Sequence, residues 1–230
     1  LYQDSEEPTP KDLRQQTLRA LDQAKFLRAN HYAPKNVLDI GASSGLLLDT
    51  FRQEFGAGVT GIEPGNAYRA AAEKRDIQMF SSLENLLETN HNTFDLVTMM
   101  HVLEHLPKPV ETLREIRQSL LTSNGALLLE VPNFYAHDSF ELAHLSCFTP
   151  HSLKEILRLA GYEIQAFRKH GHPRSKTLDL YIGALVRPII PEQEPAPVRH
   201  ERCVPLKRAL AMLWRKVITR LRPKDSWLGA

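Results

Sequence analysis

The residues that point most directly to chemistry follow the apolar run 37–40. Asp39 stands near the end of that run, and a turn of very small residues comes next, including Gly41, Ser43 and Gly45. Small residues at the carboxyl end of a parallel strand let a ligand approach the backbone, and open α/β sheets bind nucleosides at that edge. The segment therefore predicts a nucleoside pocket. A tight strand-to-helix turn without a ligand is the alternative, because short glycine motifs are weak evidence.

A second acid completes this pattern. Glu63 ends the next predicted strand, 24 positions after Asp39. In doubly wound sheets an acid about 20 residues beyond the glycine turn reaches a ribose diol, and a carboxylate can accept hydrogen bonds from both hydroxyls. Glu63 is thus the predicted ribose ligand, and a solvated loop acid before Pro64 is the alternative.

The elements that must position these residues alternate between strand and helix. The predicted order is helix 10–30, strand 36–40, helix 46–55, strand 58–62, helix 66–75, strand 77–80, helix 82–89, strand 94–100, a helix after Pro107 stopped at Asn124-Gly125, strand 126–131, helix 152–160, and strands 162–168 and 178–186. This alternation predicts an α/β fold with a doubly wound, mostly parallel sheet of seven strands. The last two strands are expected to form an antiparallel pair at one edge.

Composition divides the chain into four predicted segments. They are a helical extension over 1–33, a cofactor-binding domain over 34–187, a Pro-rich linker over 188–204 and a basic amphipathic helical tail over 205–230. Prolines oppose regular pairing in the linker.

Four segments carry a family resemblance in their order and spacing. They are VLDIGASSG, GIEPG, FDLVTMMHVLEHLPKP and GALLLEVPN, followed by a later stretch from FTP to AGY. Together they resemble class I S-adenosylmethionine-dependent methyltransferases over roughly residues 36–187. The resemblance implies a Rossmann-like methyltransferase fold, S-adenosyl-L-methionine as cofactor, and methyl transfer as the activity of an enzyme.

The resemblance also implies cofactor-binding residues. The methionine part of the cofactor is expected beside Asp39, Gly41, Ser43 and Gly45, and its ribose beside Glu63. The adenine is expected beside Ser82 and Leu83. The sulfonium is expected beside Met99, Met100 and His101, with His105 close to them in the chain. The sequence departs from the family pattern twice. Ser43 replaces its middle glycine and is small enough for the same turn, and the polar adenine contact, often an acid in the family, is Ser81 or Ser82. His105 could equally cap the helix that follows.

A long polar and aromatic segment, 133–150, supplies the candidate catalytic residues. A hydroxyl nucleophile must lose its proton, and a positioned histidine can accept it. His144 is the favoured base and His137 the second choice, while an ordinary loop histidine is the alternative for each. His137 and His144, with Asp138 and Glu141, could also hold a metal, but loop acids are usually solvated and no metal is predicted.

Two other functions compete with methyl transfer. A NAD-dependent oxidoreductase shares the strand, the glycine turn and the distant acid, but its further glycines would fall at Ser43 and Leu46. A non-catalytic cofactor-binding module acting through the C-terminal helix is the second rival. The expected acceptor of a methyltransferase is a small molecule, a glycan or a lipid-linked compound, methylated on oxygen.

The charge distribution bears on partners and location. The net charge is +2, yet basic residues dominate from Arg199 to Lys224, where Glu201 is the one acid. Residues 205–222 place apolar side chains on one stripe and arginines opposite, which predicts docking on the chain's own domain, a peripheral membrane contact or a protein contact. The body of the chain has no basic patch interleaved with aromatic residues, so its sequence does not predict nucleic-acid binding. The separated Cys147 and Cys203 fit a cytoplasmic protein, which the tail would make peripheral to a membrane.

Overall fold

The computed structural model describes residues 7–89, 93–139, 141–189 and 197–228. Within this part of the chain, two compact units are distinguished. The first contains the chain up to Met100 together with Ser119–Leu127, and the second contains His101–Gln118 and the chain from Leu128 onward. None of the helices in the described ranges combines the length and apolar character that crossing a bilayer requires.

The first unit holds the alternating elements that the sequence predicts. They are α1 (Pro10–Ala29), β1 (Asn36–Ile40), α2 (Leu46–Phe55), β2 (Gly58–Ile62), α3 (Asn66–Glu73), β3 (Gln78–Phe80), α4 (Leu83–Thr89) and β4 (Phe94–Met100). Helix α1 begins as expected, because Thr9 and Asp12 form a capping box around Pro10. Strand β1 lies between β2 and β4 and is parallel to both, so the ends of β1 and β2 meet at one edge.

The second unit holds a 3-10 turn (Leu103–His105) and the later elements. They are α5 (Pro109–Glu115), most of a π-helical turn (Ile116–Leu120), the last five residues of β5 (Leu121–Pro132), α6 (Pro150–Leu159), β6 (Tyr162–His170), β7 (Tyr181–Pro188), α7 (Val204–Leu221) and α8 (Pro223–Ser226). Strands β6 and β7 are antiparallel, which confirms the predicted edge pair. The seven strands follow the order β3-β2-β1-β4-β5-β7-β6.

Two predicted strand starts differ from the structure by three residues or more. Strand β5 begins at Leu121, so Asn124-Gly125 lies inside it rather than ending a helix before it. Strand β7 begins at Tyr181 instead of Leu178 because the Ser175 hydroxyl accepts the Leu178 amide at 2.9 Å and holds the preceding residues in a turn. The central part of the predicted linker, 190–196, lies outside the described residues, and the four predicted segments stay a prediction.

Candidate active site

Asp39 is a buried carboxyl group near the end of β1. It is 2% exposed, and the Thr98 hydroxyl on β4 donates a hydrogen bond to its Oδ1 at 2.7 Å. Burial raises the pKa of Asp39 to about 7; the Thr98 hydrogen bond opposes this increase and the charge of Glu63 adds to it. A cationic ligand beside Asp39 would favour its ionised form.

The turn after β1 needs backbone conformations that small residues permit. Gly41, Ser43 and Gly45 have φ angles of 79°, 49° and 76°, in the left-handed region that glycine enters without strain. A Cβ at Gly45 would lie 2.7 Å from Ile77 Cδ1 and 2.9 Å from Ala72 Cβ. The turn is therefore closely packed at the start of α2, and nothing larger than a hydroxyl projects from residues 41–45.

Glu63 holds this turn in place from the end of β2. Its Oε2 accepts the Ser43 amide at 2.8 Å, and its Oε1 accepts the Gly65 amide at 2.8 Å. Because each carboxylate oxygen has a second lone pair, the side chain can accept two more hydrogen bonds. That capacity suits a diol, and the ribose contact itself stays a prediction.

The other expected cofactor residues of the first unit lie at the ends of later elements. Ser82 precedes α4 and its hydroxyl accepts the Asn85 amide at 3.2 Å, while Leu83 is the first residue of that helix. Met99 is fully buried, and Met100 ends β4 partly exposed. Met100 is thus better placed than Met99 to contact a ligand at this edge.

His101 follows Met100 in the chain and belongs to a buried polar cluster of the second unit. Its φ is 59°, and its Nε2 lies 3.0 Å from Glu130 Oε1. Glu130 is fully buried in β5, and its other oxygen lies 3.1 Å from His170 Nε2. The sequence did not single out Glu130 as a member of such a cluster. An acid inside the apolar run LLLEVP was the available signal, since carboxylates are rarely buried without a partner.

Three side chains of the second unit converge beside His101. The ligand atoms of Glu104, His105 and His144 lie within 4.8 Å of one another. The Leu145 amide donates to the Glu104 carbonyl at 2.8 Å, which fixes the loop that carries His144 against the 3-10 turn. We call Glu104, His105 and His144 the acid–histidine cluster.

The composition and burial of this cluster suit a cation ligand set. His105 Nδ1 lies 3.0 Å from the Ala143 carbonyl, a contact in which the imidazole N–H donates. Glu104 is 1% exposed, and within the described residues neither carboxylate oxygen receives a hydrogen bond, although Oε1 lies 3.4 Å from His101 Nδ1. Carboxylate and imidazole together can hold a divalent metal ion.

His137 and His144, which the sequence grouped in one segment, occupy separate places. His137 Nε2 lies 2.9 Å from the Leu180 carbonyl, and burial lowers the pKa of His137 from its usual value. His144 Nε2 lies 3.5 Å from Glu141 Oε2, and its ring is 4.8 Å from that of His105. Of the two predicted bases, only His144 belongs to the acid–histidine cluster. The alternative metal set, with His137 and Asp138, is not brought together among the described residues.

Comparison with known proteins agrees with this geometry. A family model described as a methyltransferase domain matches residues 11–166. The chain belongs to this methyltransferase family. Ubiquinone biosynthesis O-methyltransferase of Pseudomonas aeruginosa is 33% identical over 108 residues, which cover 44% of this chain and 46% of that protein. Its counterpart in Vibrio cholerae is 33% identical over 94 residues, or 38% of each chain. The chain thus matches less than half the length of these relatives.

Solved methyltransferases share the fold. A SAM-dependent methyltransferase from Aquifex aeolicus aligns with a TM-score of 0.60 at 17% identity, covering 78% of this chain and 93% of that one. A Burkholderia thailandensis N1-methyltransferase with bound S-adenosylhomocysteine aligns with a TM-score of 0.57 at 22% identity, covering 75% and 78%. These matches confirm the Rossmann-like methyltransferase fold, and the family membership implies S-adenosylmethionine as methyl donor. They give no support to the oxidoreductase alternative.

Proposed function

We propose that this methyltransferase transfers the methyl group of S-adenosylmethionine to an oxygen of a small-molecule acceptor. The observation that carries the donor assignment is Glu63, whose carboxylate holds the Ser43 amide and keeps lone pairs for a diol. Asp39 adds a buried carboxyl that a cationic ligand would ionise. The residues of the turn thus fit the chemistry of a sulfonium nucleoside.

Oxygen as the methylated atom rests on two supports. The matched relatives from Pseudomonas aeruginosa and Vibrio cholerae are named O-methyltransferases. In addition, the acid–histidine cluster offers groups that can act on a hydroxyl proton, which methylation of an alcohol or phenol requires. Glycan and lipid-linked hydroxyls stay within this proposal.

The division of labour follows from the positions of the residues. When bound, S-adenosylmethionine supplies an electrophilic methyl group, so the protein mainly aligns the acceptor, which can contribute up to roughly 7–11 kcal/mol. His101 follows the last residue of β4 directly in the chain, and Glu104 and His105 of the acid–histidine cluster come within the next five positions. The acceptor's hydroxyl proton passes to His144.

A second role for the cluster is favoured by Glu104. A buried carboxylate without hydrogen-bond donors is costly, and a divalent cation held by Glu104, His105 and His144 would compensate its charge. Such a cation would lower the pKa of an acceptor hydroxyl bound to it, as metal ions do for water. In that arrangement His144 is a metal ligand, and His137 is the remaining candidate base.

The test of the proposed function has a binding part and a turnover part. Calorimetry should detect binding of S-adenosylmethionine and of S-adenosylhomocysteine, and no binding of NAD. Incubation with labelled donor and catechols, glycans or lipid extracts should give a labelled ether, identified by mass spectrometry. Binding of NAD without binding of S-adenosylmethionine would support the oxidoreductase alternative instead. Donor binding without turnover on any acceptor class would support the non-catalytic module.

The cellular setting is also a proposal. Both cysteines are free and exposed, which suits a reducing compartment such as the cytoplasm. Peripheral association with a membrane is supported by the surface of α7, whose geometry is developed below.

A further inference from the structure

Helix α7 is fixed on the second unit by its polar side. Arg208 Nη2 donates to the His137 carbonyl at 3.0 Å, and Arg215 Nη1 donates to the Ala136 carbonyl at 2.7 Å. Ile218 joins a buried apolar cluster that includes Tyr181. These contacts set the rotation of α7 about its axis, so the side opposite the arginines must face outward.

The outward side of α7 is its apolar side. Large side chains there are 40–72% exposed: Leu206, Leu210, Leu213, Trp214, Val217 and Leu221. At about 100° per residue they fall within one sector of roughly 100° on the helical wheel. We call these six residues the α7 stripe. A contiguous apolar patch of this kind indicates an interaction surface, because scattered exposed leucines would show no such periodicity.

Positive charges border the stripe on both sides. On the helical wheel Lys207 lies at one border, and Arg220 and Lys216 lie at the other. The helix from Val204 to Leu221 contains no Asp or Glu. An apolar sector bordered by long cationic side chains is the pattern of a helix lying in the plane of a bilayer interface, where the cations reach the headgroups.

A recess beside the stripe is also positive. It has a volume of about 510 Å³ and is lined by Arg208, Arg215, Lys216 and Arg220, against a single acid, Asp138. Asp138 Oδ1 lies 2.9 Å from Arg215 Nη1 and compensates part of this charge. Lys216 and Arg220 belong both to the recess and to the border of the stripe, so an anionic headgroup could occupy the recess while acyl chains cover the stripe.

We propose that α7 docks the protein on the surface of an anionic phospholipid bilayer, with the α7 stripe inserted at the interface. The charge complementarity of the borders and the recess selects this occupant over an apolar protein groove. The inference goes beyond methyl transfer and does not depend on it. Vesicle binding is measured without donor or acceptor, so its failure would leave the catalytic proposal intact.

The experiment is flotation of the full chain with two kinds of vesicle, phosphatidylcholine alone and phosphatidylcholine with phosphatidylglycerol. The wild-type protein should float with the anionic vesicles and much less with the neutral ones. Leu213→Ser/Trp214→Ser should lower the partition coefficient about 10- to 100-fold. Lys216→Glu/Arg220→Glu should remove the preference for anionic vesicles, and so should about 1 M salt.

Matched controls come from exposed residues outside the tail. Leu21→Ser on α1 and Lys74→Glu at the end of α3 change comparable exposed side chains and should leave flotation unchanged. Circular dichroism verifies that each variant is folded. Equal flotation of the wild type and the Leu213→Ser/Trp214→Ser variant would overturn the proposal. So would a concentration-dependent dimer in ultracentrifugation that these substitutions dissociate, without vesicle binding.

Discussion

The buried carboxyl of Asp39 makes the stability of the protein depend on pH in a defined direction. Its pKa is about 7 in the folded protein, against 3.8 for an ordinary Asp, mainly because burial disfavours the charged form. Since the folded state holds this proton more tightly, the stabilisation is complete below about pH 4 and is lost as the pH rises through 7. At 1.36 kcal/mol per pKa unit, the full difference is about 4 kcal/mol.

Asp39→Asn removes this titration while keeping a group that accepts the Thr98 hydroxyl. Unfolding by urea at about pH 5 and pH 8 gives the free energy of unfolding of both proteins. Between these values the wild type should lose about 2–3 kcal/mol relative to the variant, because most of the titration of Asp39 lies in that window. At pH 8 the variant should be the more stable protein.

The comparison uses the difference between the two proteins, so groups that titrate in both cancel. Parallel pH dependences, with the wild type and Asp39→Asn separated by a constant free energy, would refute the assignment of a buried, protonated carboxyl at this position. A carboxyl that is already ionised at pH 5 would behave in that way.

Three further outcomes are expected. Gly45→Ala should lower the free energy of unfolding by about 2–4 kcal/mol and Gly56→Ala by about 1–2 kcal/mol. Both substitutions strain a left-handed backbone, but only the Cβ at position 45 also clashes with its neighbours. Equal losses of stability in urea unfolding would contradict this packing. His144→Ala should reduce kcat about 10²- to 10⁴-fold and leave the affinity for the methyl donor unchanged, while His137→Ala should reduce kcat less. A larger loss of kcat in His137→Ala than in His144→Ala would make His137 the base. In the second arrangement, with a divalent cation on Glu104, His105 and His144, chelator treatment would abolish turnover until Mg²⁺ or Zn²⁺ is restored, and Glu104→Gln would lower the metal content measured by mass spectrometry. Full activity after chelation would exclude that arrangement.

The turn after β1 could be predicted from sequence because its determinants are local. Asp39, the small residues after it and Glu63 belong to consecutive elements of a parallel sheet, and parallel strands bring their carboxyl ends to one edge. The spacing therefore predicts that Glu63 lies at the same edge as the turn, and the hydrogen bond from the Ser43 amide to its carboxylate is a finding of the structure.

The acid–histidine cluster could not be predicted in the same way. His144 is held near Glu104 by the backbone hydrogen bond between Leu145 and Glu104, which are 41 positions apart, and no sequence periodicity indicates where such a loop returns. The burial of Met99 was also missed, because alternation along β4 does not tell which side chain remains open to a ligand.

The C-terminal helix shows a different limit of structure prediction from sequence. The sequence predicts an amphipathic helix, and an apolar stripe normally packs inward. Here Arg208 and Arg215 make inward contacts, together with Ile218, while the other large apolar side chains face outward. Arginine can do this because its guanidinium satisfies several backbone carbonyls at once. Sequence gives the two faces of such a helix and leaves open which of them faces the domain.

We propose that the pocket where β1 and β2 end binds a sulfonium nucleoside through Glu63. Calorimetric titration of S-adenosylmethionine into the wild type, Glu63→Gln and the exposed control Glu73→Gln tests it most directly. Glu63→Gln should weaken binding about 10- to 100-fold, since a hydrogen bond to a charged group is lost, whereas Glu73→Gln should bind like the wild type. Unchanged affinity in a folded Glu63→Gln protein would contradict the account.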